Sequence, residues 1–384
     1  MEKQIIAYRR ENGLVGVRNY VLLIPVDDIS NAVVEAVEKI VNGTLAIPHP
    51  YGRLQFGEDL ELFFKTMIGT GKNPNVAAAI VVGIEPNWTH KIADEIAKTG
   101  KPVEAFWVEG NGQIKTIEKV ARTAVKFVED TTNLKREPVD ISELTISLKC
   151  GESDTTSGLG ANKAVGRFTE KFLQIGGTVL FGETTELTGA EHIVASRFKD
   201  ETEKEKFLKM FEDYQELVKS KGVDLLGSQP TQGNIAGGLS TIEEKALGNI
   251  QKIGSAMIDS ALDFAEPAPG KGLHFMNTSS AAAEAVTLFA SAGAVIHLFP
   301  TGQGNPIGNP IVPVVKITAN PKTVQSMKEH IDVDVSALLR GDINLDQAAE
   351  ILWNRVVETA NGRLVKAEIL RHNEFVLTKL FRSA

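Results

Sequence analysis

The chain holds one cysteine, Cys150, inside KCGESDTTSGLGANKAVG, residues 149–166, where glycines, hydroxyls and acids crowd around it. A thiol there can be a nucleophile, a metal ligand or a small buried residue closing a strand, and residue type alone leaves the three open. The stretch follows the apolar ISELTISL and precedes a helix-like run, so Ser153, Asp154 and Thr155 fall in a strand-to-helix turn. Such turns at the carboxyl edge of a parallel sheet bind ligands, and the helix start favours a carboxylate or phosphate. The glycine spacing fits neither Gly-x-x-x-x-Gly-Lys-Ser/Thr nor Gly-x-Gly-x-x-Gly, which argues against a nucleotide loop.

Three more stretches pair glycine with polar chemistry. FGETTELTGAEH, residues 181–192, again follows an apolar strand and brings Glu183, Glu186, Glu191 and His192 together. Carboxylates and an imidazole there can bind a divalent cation or exchange protons, but an acidic first turn of a solvated helix looks the same. GNIAGGLSTIEEKALGNIQKIG, residues 233–254, offers a capping box beside Asn234 and Lys245. HLFPTGQGNPIGNPIVPVVKITAN, residues 297–320, puts Thr301 in a glycine-rich turn and Lys316 inside an apolar strand, where its charge needs a partner. His49, in IPHPYGR, also ends an apolar run. Together these loops suit a hydroxylated, negatively charged small molecule such as a sugar acid.

Composition removes other classes. One cysteine excludes an internal disulfide and any site needing several thiolates from this chain. A net charge of -8 with interspersed signs gives no basic stripe for nucleic acid. No apolar run is long enough to span a membrane, and MEKQIIAYRR lacks the features of a signal peptide, so a cytoplasmic protein is expected. Neither Gly-x-Ser-x-Gly nor His-Glu-x-x-His occurs, which disfavours those hydrolases.

The elements that must position these groups read as α/β. Short apolar runs (YVLLIPV, NVAAAIVVG, PVEAFWV) alternate with amphipathic ones (SNAVVEAVEKIV, EDLELFFKTMI, TIEKVARTAVKFVED), the pattern of βαβ units in a parallel sheet. We expect a Rossmann-like domain over residues 1–135, a linker in TTNLKREPVD, and a larger second α/β domain over residues 141–384 carrying the glycine-rich loops.

Read together, YRRENGLVGVRN, KCGESDTTSGLGANKAVG, ETTELTGAEH, GNIAGGLSTIEEKALG and TGQGNPIG with VPVVKITAN resemble, in this order, the altronate and galactarate dehydratase family. The large subunit of sulfolactate sulfo-lyase is similar too. The resemblance implies a metal-dependent lyase that removes water from a sugar acid, leaving a 2-keto-3-deoxy acid, or in the sulfo-lyase branch removes sulfite. It implies catalytic roles for His49, Lys149, Asp154, Glu186 and His192. It further implies metal ligation by Cys150, His49, Glu183 and Glu191, iron being expected and manganese or magnesium alternatives. Substrate contacts are expected from Arg18, Asn19, Arg53, Ser153, Thr155, Asn234, Lys245, Thr301 and Lys316.

Three departures stand out. Arg53 in HPYGRL occupies a position where relatives carry a cysteine, VVGIEPNW lacks a second familiar cysteine, and CGESD adds Glu152 to the turn. The family's single-chain members also carry a small β-rich domain ahead of this region, whereas YRRENG begins here at residue 8. Either a separate small β-rich subunit completes the enzyme or this chain acts without one, and a homo-oligomer is expected. A non-catalytic subunit that binds a sugar acid is the alternative from another class.

Overall fold

The computed structural model describes residues 2–223, 225 and 229–384. Its strands are β1 (Gln4–Arg9), β2 (Val15–Gly16), β3 (Tyr20–Pro25), β4 (Thr44–Ala46), β5 (Val76–Gly83), β6 (Val103–Trp107) and β7 (Glu137–Asp140). They continue with β8 (Thr145–Leu148), β9 (Thr178–Phe181), β10 (Ser260–Leu262), β11 (Gly272–Met276), β12 (Ile296–Pro300), β13 (Val314–Thr318) and β14 (Val333–Asp334). Two parallel sheets result, one of four strands in the order β4-β3-β5-β6 and one of seven in the order β10-β11-β9-β8-β12-β13-β14. The protein is thus α/β, as its alternating runs require.

In the smaller sheet every residue of β5 is buried, which is why VAAAIVVG is continuously apolar. One covering helix, Gln113–Thr132, buries Thr116, Val120, Ala124, Phe127 and Thr131, a stripe at helical spacing, while its other face is polar. Over the larger sheet, helix Asn162–Gln174 packs Phe168 and Phe172 at an angle against Trp353 of helix Leu345–Ala360, with ring centroids 5.6 and 6.2 Å apart. The charged run after residue 200 forms helix Glu201–Ser220, which buries only Phe207, Met210 and Phe211.

The chain ends cross between the two sheets. β1 pairs antiparallel with β2 and with β7, and its Ile5 and Ala7 join the larger sheet's core. The stretch read as a linker therefore contains a strand; only Val139 of its four residues is buried, so the sequence carries no apolar alternation to announce it. The C-terminal segment returns the exchange, with Phe375 and Leu377 in the smaller sheet's core and the Ala384 amide donating to the Leu54 carbonyl at 3.0 Å.

Arg18 fastens this crossing. Its Nε and Nη2 hold the Glu368 carboxylate at 2.6 and 2.7 Å, and its other donors reach the Val17, Thr359 and Arg363 carbonyls. Breaking a buried pair by removing one partner strands the other charge. Arg18→Met is expected to lower unfolding stability in urea by roughly 3–5 kcal/mol; a loss below about 1 kcal/mol would show that the pair is not structural.

Candidate active site

The strand order of the larger sheet reverses at β8: the chain leaves it toward β9 and returns to its other side at β12. The loops leaving the carboxyl ends of β8 and β12 consequently face each other across a crevice, the ligand site of open α/β sheets. Here they interlock. Gly151 pairs with Thr301, and the Gly302 and Gln303 amides donate to the Glu152 carbonyl at 3.2 and 3.1 Å. Beside this point lies a cavity of about 310 Å³, lined by Ser153, Asp154, Thr155, Asn162, Lys245 and Asn249 among others. The segment Ser157–Ala161 on its wall is a π-turn, a local widening frequent at functional sites.

Behind the cavity is a buried ionic cluster. Glu183, directly after β9, has no exposed surface and adopts the left-handed region at φ 73°, ψ 55°. Its Oε1 accepts from Lys149 Nζ at 2.8 Å, and its Oε2 accepts from Lys252 Nζ and, at 3.2 Å, from Asn249 Nδ2. Glu186 accepts from Lys245 Nζ at 3.1 Å on Oε1 and from Asn249 Nδ2 at 3.1 Å on Oε2. Cys150 Sγ stands 4.0 Å from both Glu183 Oε1 and Lys252 Nζ. Three ammonium groups, two carboxylates and a thiol therefore share one enclosed volume.

This environment sets the protonation states. Burial favours a neutral Glu183, but Lys149 and Lys252 outweigh it and hold the carboxyl below the ordinary carboxylate range. Burial likewise opposes charge on Lys149, and Glu183 and Glu186 overcome it, leaving the ammonium harder to deprotonate than usual. For Cys150, burial and then Glu183 push the thiol up, against the pull of Lys252. His297 lies under the same sheet edge with Nδ1 2.7 Å from Ser147 Oγ; burial and Lys149 press its pKa down to about 3, so the ring is neutral.

The structure gathers Lys149, Cys150, Glu183, Glu186 and Lys245 into this cluster and places Ser153, Asp154 and Thr155 on the cavity. Asp154 Oδ1 accepts from Thr156 Oγ1 and the Ser157 amide, and its Oδ2 accepts from Asn320 Nδ2, so it organises the turn. Asn234 Nδ2 donates to the Ser153 carbonyl at 2.8 Å, and Thr301 Oγ1 receives the Gly304 and Asn305 amides. Both brace the loops. Lys316 is buried one strand further on, donates to the Ile307 carbonyl, and is lowered by burial to about 8.

Other expected site residues lie elsewhere. His49 belongs to the smaller sheet: Nε2 donates to the Pro25 carbonyl at 3.0 Å and Nδ1 accepts the Tyr51 amide at 3.3 Å, so both ring nitrogens are engaged and burial favours the neutral ring. Arg18 has committed every donor to protein partners, as described. Asn19 ties Arg10 to the Thr131 carbonyl at the end of helix Gln113–Thr132. Glu191 Oε2 accepts the Gly189 amide, and His192 is exposed on the short helix that follows. Arg53 lines a separate cavity of about 840 Å³ with Asp28, Glu85, Trp88 and Glu109, at the point where the smaller sheet reverses its own strand order.

Sequence reasoning missed Asn249 and Lys252. A signal was present, since Lys245, Asn249 and Lys252 are spaced four and three apart, one face of a helical segment. Helix Ile242–Asn249 and the turn Ile250–Ile253 present that face to the two glutamates.

The comparisons accord with this architecture. Residues 7–132 match the family described as D-galactarate dehydratase/altronate hydrolase, second domain, and residues 141–383 match D-galactarate/altronate dehydratase, C-terminal. The chain belongs to the D-galactarate/altronate dehydratase family, a family of lyases. Among its relatives, the (2R)-sulfolactate sulfo-lyase subunit beta of Chromohalobacter salexigens is 59% identical over 384 residues, covering 100% of this chain and 99% of that protein. The altronate dehydratase of Escherichia coli is 31% identical, covering 100% of this chain and 78% of that protein; that of Bacillus subtilis is 30% identical, covering 98% and 77%. Among the described residues no helix is long and apolar enough to cross a membrane.

Lys316 permits a check on the buried electrostatics. Its folded pKa lies below that of a free lysine, so between about 8 and about 10.4 the unfolded chain binds more protons and stability rises with pH. The urea midpoint difference between the native chain and Lys316→Met should therefore shift in favour of the native chain as pH rises from 8 to 10; a flat difference would show that Lys316 is not desolvated.

Proposed function

We propose that the chain is the large, catalytic subunit of a β-eliminating lyase acting on a small 2-hydroxy acid anion, with 2-hydroxy-3-sulfopropanoate (sulfolactate) as substrate. The observation that carries this reading is the three-lysine, two-glutamate cluster beside a strand-edge cavity, in a chain that a sulfo-lyase subunit matches from end to end. Abstraction of the C2 proton places charge on the substrate carboxylate. The electron pair then forms the C2=C3 bond as the C3–S bond breaks, releasing sulfite, and the enol so formed ketonises to pyruvate.

The residues suit those tasks. The buried ammonium groups are preorganised positive charge in a water-poor volume, where they stabilise a developing aci-carboxylate far better than water would. Of the two glutamates in the cluster, Glu186 is the one whose partners Lys245 and Asn249 both line the cavity, and on this reading it exchanges the C2 proton. Ser153 and Thr155 border the same space and offer hydroxyls to an anionic oxygen.

The family's expected metal finds a donor set here. Cys150 Sγ and one oxygen each of Glu183 and Glu186 lie within 4.8 Å of one another, and a thiolate with two carboxylates is chemically suited to ferrous and similar borderline ions. A divalent ion held by these three residues would supply Lewis-acid stabilisation of the substrate carboxylate. Iron remains the expectation from the resemblance, with manganese or magnesium as alternatives.

A second reading, dehydration of a sugar acid such as altronate or galactarate to a 2-keto-3-deoxy acid, is favoured by the family match over both sheets. It differs only in the leaving group, since hydroxide must be protonated as it departs and sulfite need not be. Because a relative of like length is a subunit, a partner subunit is part of the proposal. The enzyme, co-expressed with that partner, should release sulfite and pyruvate in equal amounts from sulfolactate, and Glu186→Gln should lower kcat/KM by at least about a hundredfold. Keto acid from altronate or galactarate without sulfite from sulfolactate would select the dehydratase reading. Stabilisation by a sugar acid without turnover would select a binding subunit.

A further inference from the structure

Lys252 occupies an unusual position in the cluster. Of the three lysines, Lys245 reaches only Glu186 among the metal-type donors, and Lys149 reaches Glu183 and the Cys150 carbonyl. Lys252 Nζ instead lies against Glu183 Oε2 and 4.0 Å from Cys150 Sγ, so it touches two of the three side chains that would hold a divalent ion. Asn249 Oδ1 accepts from it as well and fixes its place. The Lys252 side chain has no exposed surface.

A buried carboxylate cannot stand without a counter-charge, and Lys149 and Lys252 provide it on the two oxygens of Glu183. An ion bridging Cys150 and Glu183 would enter the space of the Lys252 ammonium. The two cannot share it, because like charges at such separation in a poorly screened interior repel strongly. We propose that Lys252 is an internal stand-in for a divalent metal: it holds Glu183 and Cys150 in ligating positions and is displaced when the ion binds. Lys149, which bonds Glu183 Oε1 and the Cys150 carbonyl but is not against Cys150 Sγ, stays as the fixed counter-ion. The structure thereby assigns Lys252 a place in setting metal affinity, independent of which leaving group the enzyme expels.

Cobaltous ion tests this directly, because a thiolate bound to cobalt absorbs in the near ultraviolet and reports Cys150 itself. The purified enzyme, Lys252→Met and Lys252→Gln are titrated with cobalt, with Cys150→Ser to assign the band. Lys252→Met removes the competing charge at similar volume and should reach half-saturation at a cobalt concentration at least tenfold lower than the native protein. Lys252→Gln, which keeps a hydrogen-bonding side chain beside Asn249, should do the same and serves if the methionine variant does not fold. Unchanged or weaker cobalt affinity in a folded variant, or no thiolate band in any of them, overturns the inference. Sulfite release is measured on the same preparations. Tightened cobalt binding without sulfite release leaves the inference standing and removes the substrate reading, and the converse removes the inference alone.

Discussion

The Glu183 carboxylate is the centre on which the site is built. It is wholly buried, and it is tolerated there only because Lys149 and Lys252 place ammonium groups on its two oxygens. Its backbone sits in the left-handed region, unfavourable for a residue with a side chain, and its amide is held by Thr278 Oγ1 at 2.8 Å. Sheet geometry thus overrides local preference to aim one carboxylate inward. The three groups come from the end of β8, the end of β9 and the turn after helix Ile242–Asn249, so the ionic cluster also clamps together segments distant in sequence.

Under the proposed function, this arrangement would let one frame serve either leaving group. Loss of the proton beside a carboxylate needs a concentrated positive charge and a nearby base, and the cluster offers both whatever departs from the next carbon. Selectivity between hydroxide and sulfite would then fall to the cavity, which Ser153, Thr155 and Asn162 line. The interlocked Gly151–Thr301 and Glu152–Gly302 contacts fix those loops without closing the cavity.

The α/β class was legible because buried parallel strands leave continuous apolar runs such as VAAAIVVG, and covering helices leave stripes such as Val120, Ala124 and Phe127. The loops after β8 and β9 were legible because glycine and acids directly follow apolar strands. β7 was not, since an edge strand with one buried residue and a proline has no pattern to read. Lys252 was passed over because a lone lysine in a short amphipathic run reads as surface, and only the spacing to Lys245 and Asn249 marks its face. His49 follows a strand of the smaller sheet, and sequence order does not tell which sheet edge a loop joins. Arg18, expected at the substrate, pairs with Glu368 where the chain ends cross; a guanidinium suits a buried carboxylate of the protein as well as one of a ligand, and sequence alone does not separate the two.

The most direct test of the central claim follows the C2 hydrogen of sulfolactate by proton NMR in the native enzyme and in Glu183→Gln. The cluster predicts that the native enzyme removes that hydrogen in step with sulfite release, and that a Glu183→Gln variant that still folds does neither. Retention of the native rate in Glu183→Gln would contradict it, because the reaction would then proceed without the charge pair around which the site is organised.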